Sequence, residues 1–556
     1  MSKKVVIIGG VAGGATAAAR LRRLDEKIKI VMFEKGEYIS FANCGLPYYI
    51  GGEIKKKSYL TLQTPESFNS RFNVDVRNMT EVVSIDKKAK KITALNLNTN
   101  TQYDEYYDYL IIATGASPYI PDIEGVDNEK VFTLRNIPDT YKIKDYVDTY
   151  NPKSALVIGG GFIGLEMTEN LKNAGVDVYL STRSNQVMSR IGYESACFVH
   201  NELKEKGVKL LLGTKPRSIK DSEKSLEITL ENVFEKTYST IKTDMVILAL
   251  GVNPDSDLAI KAGLEVNSRG AVIVDEHMLT SDKNIYAVGD VTETFDFILN
   301  KPSYVPLAGP ANKQGRIAAD NIAGIPSTYK GTLGSAIIKI FDLTLAYTGL
   351  NEKDAIQNGI DYGKSFTFSP NHATYYPNPQ YMSIMTLFDK KDGRILGVQI
   401  VGGEGVDKRC DVFATAIRAK MTAFDLTNLE LCYAPPYGSA KDPVNMAGYA
   451  IENLITGKVK NFYVEDIPKL LKRDDIILLD TRTRYEYQLG HIDGFVNIPL
   501  DNLRDNLHLL DKTKTIYLTC QVGQRGYVAS RILSQNGFDV YNLSGGYNLY
   551  STIKGI

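Results

Sequence analysis

The chain has 556 residues, 43% of them hydrophobic and 23% charged, with 65 basic side chains against 65 acidic ones. At about 100–200 residues per domain this implies several domains; the composition is that of a globular enzyme, not a disordered or fibrous chain, and zero net charge gives nucleic-acid binding no global electrostatic support. Five cysteines are too few for a disulfide framework and lack the spacing of a zinc site, no apolar run reaches the ~18 residues that span a bilayer, and the chain enters a strand where a signal core would stand, so the expectation is a cytoplasmic protein in a reducing compartment.

The first apolar run, Val5 to Ile8, reads as a strand buried on both faces. The glycine-rich GGVAGGATAAARLRRL that follows turns into helical periodicity. It places Gly9, Val11 and Gly14 where a G-x-G-x-x-G fingerprint wants glycine, with Gly13 beside them; the middle glycine is missing. The next strand, IKIVMFE, ends in Glu34, about where an acidic side chain holds an adenosine ribose, and the helix after Gly14 offers free N–H groups to a pyrophosphate. SFANCGLPYY then presents Cys44 with no second cysteine nearby. Further on, LIIATGASP (Thr114, Gly115) and NIYAVGDV (Gly289, Asp290) read as strands ending in a tight turn and in a carboxylate.

Between these two lies a complete fingerprint, ALVIGGGFIGLEMTENL, with Gly159, Gly161 and Gly164 in register after a strand and at the start of a helix. The strand after it, VDVYLSTRS, sets Thr182 and Arg183 where an NADH-specific site carries a carboxylate. An arginine there can meet a 2′-phosphate, so NADPH is expected to be accepted and slightly favoured over NADH.

From about residue 326 the pattern changes. GTLGSAIIKIFDLTLAYTGL and YMSIMTLFDKKDGRILGVQIVGG alternate apolar and polar residues about a turn at Asp392-Gly393, as antiparallel strands do. Helices are expected near Val406–Ala419 and Asp442–Leu454. Two tyrosine-bearing segments, HATYYP and YAPPYGSAKDPVN, stand out in a chain with 34 tyrosines. After ITGKVKNF, strands and helices alternate from Val464 onward as a small α/β domain. In it Cys520 ends a strand and precedes a helix, and the six-residue run to Arg525 wraps the sulfur in N–H dipoles that lower a thiol pKa and stabilise a persulfide. Cys197 and Cys410 lie in helix-like runs and read as structural; Cys432 adjoins Tyr433.

The three motifs around Glu34, Thr114 and Asp290 together resemble the FAD-binding set of two-dinucleotide-fold flavoprotein reductases, in which the final Asp holds the ribityl-phosphate region. SFANCGLPYYIGG narrows the resemblance to the single-cysteine branch of the pyridine nucleotide–disulfide reductases, nearest to coenzyme A disulfide and CoA persulfide reductases, over roughly residues 1–450. DTR…E…GHIDG…NIP with the Cys520–Arg525 loop resembles a rhodanese domain; the related cradle of cysteine phosphatases is typically one residue longer. The fold so implied is α/β: two interleaved Rossmann-like dinucleotide-binding domains, for FAD (1–115 and 255–325) and NAD(P) (116–254), an α+β dimerisation domain (326–455), a linker (456–463) and a small α/β rhodanese domain (464–556).

By that resemblance FAD, NAD(P)H and coenzyme A are the cofactors, and the electron pair passes from NAD(P)H through FAD to a Cys44–S–CoA mixed disulfide. Cys44 is then free to attack CoA disulfide, CoA persulfide or polysulfide. Its thiol pKa has to fall from ~8.5 toward neutrality, which the flavin ring and local N–H groups would do. Thr16, Arg20, Arg23, Ser40 and Asn43 would line the CoA channel, beside Arg22; Arg71 would meet phosphate, with Phe72 standing where some relatives carry lysine. Tyr375 and Tyr433, with Tyr376 and Tyr437 as the alternatives next in line, would reach Cys44 of the partner in a homodimer and protonate a departing CoA thiolate, and Lys441 would meet CoA. Cys520 would carry sulfane sulfur and exchange it with CoA on its pantetheine arm, in a direction left open. The competing readings are an NADH oxidase or peroxidase cycling Cys44 through a sulfenic acid, and a redox or sulfur sensor.

Overall fold

The computed structural model of the protein describes residues 3–222 and 224–556. They divide into two compact units, one made of the residues up to 185 with 207–334, the other of 186–206 with 335–556.

In the first unit the strand Lys4–Ile8 lies between Lys29–Phe33 and Tyr109–Ile112, all parallel, with Ile285–Ala287 and Asp75–Arg77 at the edges. Its side chains alternate between two cores: Val5 and Ile7 belong to one, Val6 and Ile8 to the other. A strand covered on both faces therefore reads as an unbroken apolar run. A second parallel sheet repeats the plan, with Ser154–Ile158 between Asp177–Thr182 and Met245–Leu248. The chain crosses between the two domains on a pair of antiparallel strands, Ala116–Pro118 and Val252–Pro254.

The helix after the first strand, Ala12–Leu24, packs along Ala308–Ile322. Glycines set the closeness of this crossing: a Cβ on Gly315 would stand 2.4 Å from the carbonyl oxygen of Gly13. Arg20 Nε donates to Asp320 at 2.7 Å across the same seam.

The second unit holds a five-stranded antiparallel sheet in the order Ala336–Ile340, Leu343–Gly349, Ile395–Gly402, Tyr381–Asp389, Tyr362–Pro370. The turn at Asp392-Gly393 is present, with Gly393 at φ 76°. The polar/apolar alternation read from the sequence is present in Ala336–Ile340 but does not carry through the two strands beside that turn. Ile395–Gly402 is buried at every position and Tyr381–Asp389 at all but its ends, because the helices Tyr193–Glu205, Val406–Arg418 and Pro443–Ile455 pack against the sheet.

The remaining layer is a parallel sheet ordered Asn461–Phe462, Val540–Leu543, Thr515–Thr519, Ile476–Asp480, Val496–Asn497. Its edge strand Asn461–Phe462 lies inside the stretch expected as a linker. From Val464 a 3₁₀ turn, Val464–Asp466, leads into the short helix Ile467–Leu470. Lys364 ties this layer to the antiparallel sheet: its buried ammonium stands 3.3 Å from Glu194, 3.2 Å from Glu352 and 2.9 Å from Glu465. Burial alone would depress the Lys364 pKa, but the three carboxylates outweigh it and hold the amine charged.

No helix among the described residues is long and apolar enough to cross a membrane. The glycine-set helix crossing yields a prediction. Gly315→Ala should force the two helices apart at a cost of about 1–3 kcal/mol, measured as a lower thermal unfolding midpoint, while alanine at Gly309 of the same helix, where an added Cβ meets nothing within 4 Å, should leave the midpoint in place.

Candidate active site

The three motifs of the first domain emerge at the C-terminal ends of three adjacent parallel strands. Gly9 follows Ile8, Thr114 and Gly115 follow Ile112, and Gly289 and Asp290 follow Ala287 by one residue. This is the crevice where open α/β sheets bind ligands. The turns are too tight for side chains. A Cβ on Gly9 would lie 2.2 Å from the Ala113 carbonyl oxygen, on Gly13 2.9 Å from Val288 Cγ2, and on Gly14 1.9 Å from the Gly9 carbonyl oxygen. The second fingerprint repeats the cradle. Gly159 would meet the Ala249 carbonyl oxygen at 2.1 Å and Gly164 the Gly159 oxygen at 1.8 Å, while Gly161 faces open space. Val11 holds the position of Gly161, as the residue before its helix. The fingerprint without its middle glycine therefore folds like the complete one.

Glu34 closes the first crevice. Its carboxylate accepts from the N–H groups of Gly10 (2.8 Å) and Gly36 (2.9 Å), and burial holds its pKa above the usual value. Asp290 lies 3.6 Å from Arg135; burial raises its pKa as well, against the pull of that guanidinium. Gln314 accepts from the Gly289 N–H at 2.7 Å, and the Thr114 hydroxyl donates to the Asp255 carbonyl at 2.6 Å. Glycine cradles and free N–H groups fit an adenine dinucleotide in each domain, with the Glu34 carboxylate at the second strand's end in the first domain alone. In the second, Thr182 is buried at its strand end and Arg183 is exposed beyond it.

Cys44 is an exposed free thiol in the 3₁₀ turn Asn43–Gly45, ahead of the helix Leu46–Ile50. The loop is pinned to the first crevice by Ser40, which takes a left-handed φ of 42° and donates its N–H to the Gly10 carbonyl (2.9 Å). The expected lowering of the thiol by the chain's own N–H groups is not found. Burial of the sulfur, then the charges of Glu166 and Asp290, raise the Cys44 pKa. Local N–H groups fail here because the turn's donors are spent on backbone: Asn43 N–H on Phe41 and Gly45 N–H on Ala42.

Glu166, which the sequence reading did not single out, lies on the second fingerprint helix, Phe162–Asn173, against which Leu46–Ile50 packs. Burial and the charge of Glu169 push its pKa up to about 7, opposed by a hydrogen bond from Tyr48. The available sequence signal was a carboxylate pair three residues apart, one helix turn beyond the last fingerprint glycine.

The predicted CoA-binding residues separate. Thr16 donates to Asn312 (2.7 Å) and Arg20 to Asp320, so both face the neighbouring helix, with Arg23 exposed on the turn beyond. Arg22 does not join them: it is buried and donates to five carbonyls, of Asp25, Glu26, Ile28, Phe72 and Asn73, fastening the helix to its surroundings. Arg71 is exposed at the end of Pro65–Phe72, while Phe72 meets Phe68 in a tilted pair at 4.8 Å and packs against the core.

In the second unit the tyrosine segments meet. The hydroxyls of Tyr375 and Tyr433 lie 2.8 Å apart on rings that are 74% and 47% exposed. The hydrogen bond to Tyr433 raises the Tyr375 pKa. Beneath them, buried Arg409 donates to Asp442 (2.9 Å) and to the Asn371 carbonyl (2.9 Å), and the Ala373 N–H donates to the Gly438 carbonyl, so one ion pair holds both loops. Lys441 is exposed beside it.

Cys520 is fully buried, and its sulfur accepts the Gly523 N–H at 3.1 Å, aided by the N–H groups of Val522 and Gly526. The pKa nonetheless rises, because burial outweighs those donors and Arg525. Glu486, the glutamate of the DTR…E…GHIDG motif to which the sequence reading gave no role, grips Arg525 through both carboxylate oxygens (2.8 and 2.6 Å). Among the described residues no group of three or more His, Cys, Asp or Glu is placed to hold a metal ion.

The field on Cys44 is testable. Glu166→Gln removes a charge that raises the thiol, so the pH midpoint of Cys44 alkylation should move downward relative to the wild type; an unmoved or raised midpoint contradicts the assignment.

Residues 3–315 match the pyridine nucleotide-disulphide oxidoreductase family, residues 335–443 its dimerisation domain and residues 464–552 the rhodanese-like domain. Reduced Bacillus anthracis CoADR-RHD, a crystal structure, is similar at a TM-score of 0.96 and 49% identity, covering 100% of this chain and 99% of that one. The NAD-dependent persulfide reductase from A. fulgidus is similar at 0.91 and 37%, covering 98% and 100%. A coenzyme A disulfide reductase of Staphylococcus haemolyticus is 36% identical over 454 residues, 81% of this chain and 100% of that protein. The chain belongs to the pyridine nucleotide-disulphide oxidoreductases and carries a rhodanese-like domain at its C-terminal end.

Proposed function

We propose that this oxidoreductase cleaves the sulfur–sulfur bond of coenzyme A disulfide or CoA persulfide with Cys44 as its single redox cysteine, and that Cys520 exchanges sulfane sulfur with the same thiol carrier. The observation that carries the reading is the place of Cys44, a thiol without a cysteine partner in its loop: Ser40 pins that loop to Gly10 of the first fingerprint, and the helix after it, Leu46–Ile50, packs on the second fingerprint helix. The full-length likeness to a CoADR-RHD and to a persulfide reductase supports the substrate class.

FAD would be held by Gly9, Gly13, Gly14, Glu34, Thr114, Gly115, Gly289 and Asp290, and NAD(P)H by Gly159, Gly161, Gly164, Thr182 and Arg183; bound together they supply the electron pair that cleaves a disulfide. The chain's own part begins with the Cys44 thiolate attacking one sulfur of CoA disulfide. A Cys44–S–S–CoA bond forms, the substrate S–S bond breaks, and one CoA thiolate leaves with the electron pair. Attack on the CoA-bound sulfur of a persulfide releases hydrosulfide instead. Two electrons and one proton then return Cys44 to the thiolate and free CoA. Thr16, Arg20, Arg23, Ser40, Asn43, Arg71 and Lys441 are assigned to binding CoA. In a homodimer the hydrogen-bonded phenols of Tyr375 and Tyr433 donate a proton to the thiolate leaving the partner's Cys44.

Mass spectrometry of the purified protein should find one CoA disulfide-linked at Cys44 and released by NAD(P)H. Cys44→Ser should lose the adduct and reduce turnover of CoA disulfide by 10³-fold or more, on the order seen for removed nucleophiles. Rapid oxygen consumption without CoA, with sulfenic acid at Cys44 and no adduct, would establish the oxidase reading instead. Arg183→Ala tests the coenzyme: KM for NADPH should rise about tenfold, consistent with a lost charge-assisted contact, with KM for NADH little changed.

A further inference from the structure

The loop Cys520–Arg525, CQVGQR, contains a single cation. Both terminal nitrogens of Arg525 are taken by Glu486, at 2.8 and 2.6 Å. Glu486 is not a mobile partner: the N–H and hydroxyl of Thr483 also donate to it, at 2.9 and 2.8 Å, as the capping box of helix Arg484–Leu489. Arg525, then Thr483, hold its pKa down to about 2, so it stays ionised.

The other guanidinium at this loop, Arg482, is also matched. It is buried, donates to Asp480 through Nε and Nη2 (3.0 and 2.7 Å) and to the Gly490 carbonyl (2.8 Å), and reaches the loop only through the neutral amide of Gln521 at 3.4 Å. Its flat face lies 3.9 Å from the centre of the Tyr547 ring. Each arginine beside Cys520 thus has its own carboxylate, and the loop's N–H groups converge on sulfur. Such a cradle suits a transferred sulfur atom. Within the loop Cys520–Arg525 itself no charge is left uncommitted for an oxyanion leaving group.

Resting on the sulfurtransferase reading of Cys520, we propose that the Arg525–Glu486 clamp makes this site selective for thiol persulfides as sulfane donors and closes it to thiosulfate. In the accepted reaction the Cys520 thiolate attacks the outer sulfur of R–S–SH. A Cys520–S–SH bond forms, the donor S–S bond breaks, and R–S⁻ departs with the bonding pair, its single charge carried on an atom with an organic tail outside the loop. Thiosulfate would instead release sulfite dianion, whose charge must be met inside the cradle by donors that are already engaged. Arg525 acts as a positioning residue here, and Glu486 as the residue that sets specificity.

The test uses the full chain without reduced nicotinamide, mixing it with glutathione persulfide or thiosulfate at equal concentration and following addition of one sulfur to the Cys520 peptide by mass spectrometry. Glutathione persulfide should load Cys520 about 100-fold faster than thiosulfate, the scale of a missing oxyanion donor. Because thiosulfate is also the intrinsically slower donor, two variants decide the cause. Glu486→Gln, which frees Arg525, and Gln524→Arg, which adds a cation at an exposed loop position, should each raise the thiosulfate rate relative to the persulfide rate about tenfold. Equal wild-type rates for the two donors, or a ratio that neither variant moves, would overturn the inference. If Glu486→Gln fails to fold for want of its capping box, Gln524→Arg decides alone. Sulfur that still adds to the chain at the wild-type rate in Cys520→Ser would remove the sulfurtransferase reading itself, a failure distinct from thiosulfate competing at an intact Cys520.

Discussion

Both dinucleotide crevices depend on the approach of one backbone to another at a distance that excludes a side chain. Gly14 sits over the Gly9 carbonyl, and Gly9 over the Ala113 carbonyl. The same two contacts recur at Gly164, Gly159 and Ala249. Closing the strand onto its helix this tightly aims the first N–H groups of the helix at the crevice. It also brings the turns after Ile112 and Ala287 beside the first one, so residues separated by nearly three hundred positions share one rim. The Cys44 loop is attached to that rim through Ser40 and Gly10. A change in the glycine turn would therefore move the thiol as well as the dinucleotide site.

Burial raises the pKa of both Cys44 and Cys520, in otherwise different surroundings. Cys520 is sealed from water and given backbone N–H donors, a fixed environment that travels with its loop. Cys44 is exposed and faces carboxylates, and the chain by itself raises its pKa. In the first setting the fold supplies donors aimed at the sulfur, yet burial still outweighs them and raises the thiol. In the second, the thiol is electrostatically coupled to carboxylates of both dinucleotide domains. Glu166, poised near neutrality, adds a proton-dependent charge to that coupling.

Buried ion groups do the remaining positioning, and none of them announces itself in the chain. Arg409 and Asp442 are 33 positions apart and hold two tyrosine loops. Lys364 gathers carboxylates from residues 194, 352 and 465. Arg22 resembles its neighbours Arg20 and Arg23 in sequence, yet it is buried among five carbonyls while Arg23 meets solvent. Adjacent arginines on a helix point in different directions, about 100° apart, so a cluster in sequence is not a cluster in space.

Local pattern by itself determined the parallel strands, the two glycine turns, the helix starts and the cysteine at the head of the last loop. Each of these obeys a short-range rule: a strand covered on both faces must be apolar throughout, and a turn under a carbonyl must lack a Cβ. Only the tertiary structure decided which charges meet. It paired Arg525 with Glu486, set Glu166 and Asp290 against Cys44, buried both faces of Ile395–Gly402, and drew Asn461–Phe462 into a sheet. Those outcomes depend on burial and on partners distant in the chain, and a charge acquires its chemical meaning from the neighbour that folding places beside it.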